Sequence, residues 1–75
     1  MNEDRRKKLK LAITLLDEAK SYVETEKEAE QESFDNLPEN MQNGEKAEAM
    51  EAAIAQLDEA YGEIENAISS VEQAM

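Results

Sequence analysis

The chain has no cysteine, no histidine and no tryptophan, and only one proline and two glycines in 75 residues. Without cysteine there is neither a disulfide staple nor a thiolate metal site. Without histidine there is no side chain that titrates unperturbed near neutral pH, no Ser/His nucleophile pair and no Glu-x-x-His di-iron motif. Carboxylates abound, but thin helices offer no deep pocket to shift their pKa, and no EF-hand loop is present. The expectation is therefore a non-enzyme with no catalytic residues, no cofactor and no metal. No stretch is long and apolar enough to cross a bilayer, and the basic start is not followed by a signal-peptide apolar core. A cytoplasmic protein with no membrane partner is expected.

Positive charge is also scarce, and uneven. The net charge is −11; Arg5, Arg6, Lys7, Lys8 and Lys10 are five of the eight cations. Beyond residue 10 only Lys20, Lys27 and Lys46 remain, against seventeen acids. Such a body repels nucleic acid and anionic membrane, so direct nucleic-acid binding is not expected. In an antiparallel hairpin the basic cluster would sit beside the C-terminal end of the second helix. There it would meet Glu65, Glu72, the terminal carboxylate and the negative end of the helix dipole.

What the chain does have is a repeat. Met50-Glu51-Ala52-Ala53 returns as Leu57-Asp58-Glu59-Ala60, Ile64-Glu65-Asn66-Ala67 and Val71-Glu72-Gln73-Ala74, seven residues apart each time. With the large apolar residue at heptad position d, the a positions are Ala47, Ile54, Tyr61, Ile68 and Met75. Together they make a strict 3,4 alternation, the seam of a coiled coil. Acids fill position e (Glu51, Asp58, Glu65, Glu72) and alanines fill position g (Ala53, Ala60, Ala67, Ala74). The alanine flank admits a neighbouring backbone, whereas the acid flank resists desolvation.

A weaker copy lies upstream, with Leu9, Leu16 and Val23 at d, Ile13 at a, and Ala12 and Ala19 at g. It departs at Lys20, fades where Lys27 and Glu30 occupy the next a and d, and recovers at Phe34 and Leu37. Asn2 can cap this helix, and Pro38 forbids its continuation. The predicted organisation is one domain: helix 1 over about 3–35, a loop over about 36–43 and helix 2 over about 44–74, capped by Asn43 or Gly44. The fold class is all-α, an antiparallel coiled-coil-like hairpin roughly 45 Å long at about 1.5 Å per residue.

Helix 1 has apolar residues to spare. Leu11, Leu15 and Tyr22 recur at i, i+4 and i+11, on a second face beyond Ala12 and Ala19. A helix apolar over half its circumference expects two neighbours. The simplest solution is a homodimer, a four-helix bundle about a twofold axis, with Leu11, Leu15 and Tyr22 at its interface. The run Glu24 to Glu32 holds five glutamates and one lysine. It is read as a solvated helix end, or as a docking surface for a basic partner. Because it lies opposite Ala47, Met50 and Ile54, that part of helix 2 is expected to be thinly covered. Met50 and Ile54 are accordingly candidates for contact with an unidentified protein partner.

The segment Ser33-Phe34-Asp35-Asn36-Leu37-Pro38-Glu39-Asn40-Met41-Gln42, followed by Glu45, Met50 and the acid/alanine heptads, resembles small acidic proteins of phages and mobile elements of Gram-positive bacteria. Residues 31–75 carry the match, and Phe-x-Asn-Leu-Pro-Glu is its specific part. Where those proteins often have serine before the glutamate that opens helix 2, this chain has Gly44. The resemblance implies a helical hairpin and a bacterial host cell, and no activity. Two functions follow as expectations: a dimeric protein–protein interaction module, or an acidic decoy occupying a nucleic-acid groove. In the decoy, Glu51, Asp58, Glu65 and Glu72 would stand in for phosphates, with Glu48, Glu59 and Glu63 beside them.

Overall fold

The computed structural model describes all 75 residues. Helix α1 spans Glu3–Asp35 and helix α2 spans Glu45–Ala74, joined through one 3-10 turn at Glu39–Met41. The two helices pack along their length as an antiparallel hairpin, and there are no strands.

Local chemistry explains each boundary. Asn2 is extended, and its Oδ1 accepts the backbone N–H of Arg5 at 2.9 Å, satisfying one of the orphan donors at the start of α1. Glu3 and Asp4 add acidic charge at the positive end of the helix dipole. At the other end the N–H of Asn36 donates to the Glu32 carbonyl at 3.0 Å and that of Leu37 to Phe34 at 3.1 Å. Pro38 then has no N–H to give. Its carbonyl instead accepts from Met41 at 2.8 Å, and the Gln42 side-chain amide donates to the Leu37 carbonyl at 3.2 Å. This 3-10 turn, absent from the sequence reading, lets nine residues reverse the chain without loose backbone. Gly44 caps α2 with no side-chain hydrogen bond.

The seam runs the whole length of α2 and along α1 from Leu9 onward. On α2 every a and d residue from Ala47 to Met75 is buried or partly buried, as are the g alanines Ala53, Ala60 and Ala67. The e acids Glu51, Asp58, Glu65 and Glu72 are exposed. On α1 the same spacing holds from Leu9 to Phe34 and continues to Leu37 just past the helix, including Lys20, Lys27 and Glu30, which keep their seam places despite their polarity. The upstream copy therefore fades in chemistry but not in geometry.

Only Ala47 (1% exposed) and Met50 (8%) are fully buried. This corrects the expectation that helix 2 is thinly covered there. The register set by the Lys20–Glu65 and Lys27–Asp58 pairs places Phe34 and Leu37 across from Met50 and Ala47, at the end where the chain reverses. The molecule is a rod of 59 × 14 × 12 Å. It exceeds the expected 45 Å because the 33 residues of α1 alone span roughly 50 Å, and the turn lies beyond them. Its surface of 5633 Å2 compares with about 4,700 Å2 for a compact protein of this mass.

Two outcomes are expected in urea unfolding at fixed protein concentration. Met50→Ala costs about 2 kcal/mol, the lower end for a buried methionine; a change within about 0.5 kcal/mol, typical of surface positions, would show Met50 uncovered. Gly44→Ser adds about 0.3 kcal/mol by supplying the missing cap acceptor. The backbone there is extended, and a Cβ would meet only the Met41 carbonyl at an ordinary 3.6 Å.

Candidate functional site

Three surfaces of the rod carry chemistry. The first is a clasp at its middle. Lys20 and Lys27 stand one heptad apart at a positions of α1, on either side of Tyr61 from α2. Their ammonium groups lie 5.6 and 5.7 Å from the centre of the Tyr61 ring, within cation–π range. Lys27 continues to Asp58, donating to its carboxylate at 3.0 Å. Lys20 reaches Glu65 at 4.0 Å and Asp17 at 3.8 Å. Four-carbon lysine stems can cover the apolar seam while their charges reach water and carboxylate at its edge.

The clasp perturbs two groups. The hydrogen bond it donates to Asp58 raises the Lys27 ammonium above its ordinary 10.5; burial opposes this, and the charges of Asp58, Glu24 and Glu28 reinforce it. Tyr61 is raised above its ordinary 10.0, first by Glu24 acting as acceptor for the phenol, then by burial and by the charges of Glu24 and Glu65. The Glu24 contact is a loose one: no side-chain hydrogen bond of Tyr61 closes at direct bonding geometry.

The second surface is an open groove of about 660 Å3 between the C-terminal half of α1 and the N-terminal half of α2. Phe34, Ile54 and Ala55 supply its apolar lining. Glu28, Glu32, Asp35, Glu51 and Asp58 stand around them, with Lys27 the one cation. Of the two residues expected at a partner patch, Ile54 lines this groove, whereas Met50 is buried in the hairpin and unavailable.

The third surface is the face of α1 turned away from α2. Leu11 (59% exposed), Leu15 (56%) and Tyr22 (74%) lie along it, more exposed than any other large apolar side chain in the chain. Nothing in the hairpin covers them.

The acids divide accordingly. Asp58 and Glu65 are held by Lys27 and Lys20, Glu51 stands at the groove, and Glu72 makes no ion pair. The basic cluster does not behave as the sequence reading expects. Arg5, Arg6, Lys7, Lys8 and Lys10 form no ion pair with Glu65, Glu72 or any other group; every salt bridge in the chain uses Lys20 or Lys27. The lysine cross-links fix a register in which Leu9 lies opposite Met75, so Arg5 to Lys8 project past the end of α2. No cluster of three or more potential metal ligands converges anywhere, and no helix is long and apolar enough to cross a membrane. No family model, curated protein or solved structure matches the chain.

Sequence reasoning missed the clasp because it counted Lys20 and Lys27 as gaps in an apolar pattern. The signal was present: two a-position lysines a heptad apart, matched to the one aromatic in the opposing seam.

The clasp makes the hairpin sensitive to alkali. A group whose folded pKa is raised contributes stability that is complete below its unfolded pKa and lost as pH rises through the folded value. For Lys27 and Tyr61 that loss begins above about pH 10. Helical circular dichroism in fixed urea, followed from about pH 9 to 11.5, should show a stability loss in the parent. The loss should be smaller in the Lys27→Met/Tyr61→Phe protein; equal slopes would remove the clasp as its source.

Proposed function

We propose that this protein is a small, non-enzymatic protein–protein interaction module that first associates with itself. The observation that carries this reading is the uncovered stripe Leu11, Leu15 and Tyr22 on α1, in a molecule with only two buried residues. A hairpin with a surface about a fifth larger than a compact protein of its mass gains by covering apolar area, at roughly 25 cal/mol per Å2. Pairing through α1 makes a four-helix bundle in which α1 is the inner helix. The acid-rimmed groove at Phe34 and Ile54 then stays open, and its chemistry fits a basic segment carrying an apolar side chain.

The acidic-decoy alternative has less support. Phosphate mimicry needs an uncompensated column of carboxylates, and Lys27 and Lys20 already engage Asp58 and Glu65 at its centre. Origin in a phage or mobile element of a Gram-positive bacterium rests on the resemblance over residues 31–75, of which Phe-x-Asn-Leu-Pro-Glu is the specific part, and with it location in the host cytoplasm.

The test is the mass in solution. Sedimentation equilibrium of the parent should give twice 8.5 kDa at micromolar concentration, with a thermal midpoint that rises with concentration. Leu15→Glu should give a monomer or an unfolded chain. A folded parent at monomer mass throughout this range would end the reading.

A further inference from the structure

The self-association reading leaves open how the two copies lie, and the charge pattern along α1 selects an answer. We infer that α1 packs on α1 of a second copy antiparallel, about a twofold axis between Leu15 and Glu18, so that each basic N-terminal end caps the partner's acidic run. The inference rests on the proposed dimer and deepens it.

Two independent observations lead to it. The first is the spacing of the uncovered face. Lys8, Leu11, Leu15, Glu18, Tyr22, Thr25 and Ala29 follow the same 3,4 alternation as the seam against α2. All seven are exposed, so α1 carries a second coiled-coil seam with no partner inside the chain. The second is charge. The five N-terminal cations make no ion pair, and the run Glu24 to Glu32 contains one cation, Lys27, already committed to Asp58. One helix thus carries an unpaired basic end and a largely unpaired acidic stretch on either side of an apolar patch.

A parallel, in-register pair would set Arg5 to Lys10 against the same residues and Glu24 to Glu32 against theirs, repelling at both ends. Reversing one helix turns both repulsions into attractions, and a twofold interface makes each occur twice. The seam fixes the register. With Leu11 against the partner's Tyr22, Leu15 meets the partner's Glu18 and Lys8 meets the partner's Thr25. The flanking positions then fall into place without further choice. On one flank Arg5 lies across from the partner's Glu26, and Ala12 from the partner's Ala19. On the other, Lys7 lies across from the partner's Glu28, and Thr14 from the partner's Ser21. The paired alanines let the backbones approach at the centre. Thr14 and Thr25 already donate their hydroxyls within the helix, to the Lys10 carbonyl at 3.2 Å and the Ser21 carbonyl at 2.9 Å, so they bring no unsatisfied donor. Glu18 is the charged seam residue nearest the axis, and the twofold places one from each copy there, each against a Leu15.

The natural absence of cysteine makes the test clean. Leu11→Cys and Tyr22→Cys chains, one carrying a mass tag, are mixed, confirmed as helical dimers, and treated with a short bis-maleimide. The expected product joins Leu11→Cys to Tyr22→Cys. Products joining Leu11→Cys to itself overturn the antiparallel arrangement while leaving a dimer, whereas a monomeric parent overturns self-association altogether. Sedimentation supplies the second readout. Arg5→Glu should weaken dimerisation on the order of tenfold, since two symmetry-related pairs turn repulsive. Adding Glu26→Arg to the same chain should restore most of the affinity. Lys46→Glu, an equal charge change on α2, should shift it less than about twofold. If Lys46→Glu weakens the dimer as much as Arg5→Glu, or the double exchange restores nothing, net charge alone is at work and the register is wrong.

Discussion

Lys20 and Lys27 reach from one helix onto the ring of Tyr61 in the other and pass on to Glu65 and Asp58. That clasp sits where the apolar seam of α1 is interrupted, on either side of Val23, and it solves a problem peculiar to two-helix rods. Two cylinders share one line of contact, so every residue on that line is also near its edge. A lysine placed there is not stranded in a core. Its stem lies along the seam while its charge reaches carboxylate and water at the edge. The arrangement also favours this register, because a slip of one heptad would leave only one lysine beside the ring and one lysine–acid pair in place of two.

The same geometry explains why there is so little interior. Only at the closed end, beside the chain reversal, do two seam residues, Ala47 and Met50, lose their solvent. Elsewhere the seam is a strip, partly covered on both sides. Under the proposed self-association, the apolar stripe on the far side of α1 is where further helices would add the cover that two cannot give.

Much of this was legible in the residues. The heptads gave the helices and the seam, Asn2 and Pro38 marked the ends of α1, and the alanine and acid columns marked its drier and wetter flanks. Three features were not legible, each for a physical reason. The clasp was hidden because apolar periodicity scores lysine as a break, although its four methylenes fill a seam position. Met50 is buried beside the chain reversal, whose 3-10 turn follows from how Pro38 and Gln42 share hydrogen bonds with Leu37 and Met41 and not from any periodicity. The isolation of the basic cluster depended on register. A hairpin drawn from helix lengths aligns the free ends, whereas the lysine cross-links set Leu9 against Met75 and leave Arg5 to Lys8 beyond.

The placement of the two buried residues bears on the order in which the chain comes together. Ala47 and Met50 meet α1 across the shortest stretch of chain available to any contact between the helices, so closing that loop carries the smallest entropy cost. The best-covered contacts are thus also the most local, and those at Leu9 and Met75 are the most distant in sequence. A molecule built this way favours zipping from the turn outward, with low contact order and no strand pairing to wait for. Its far end fastens last, and frays first.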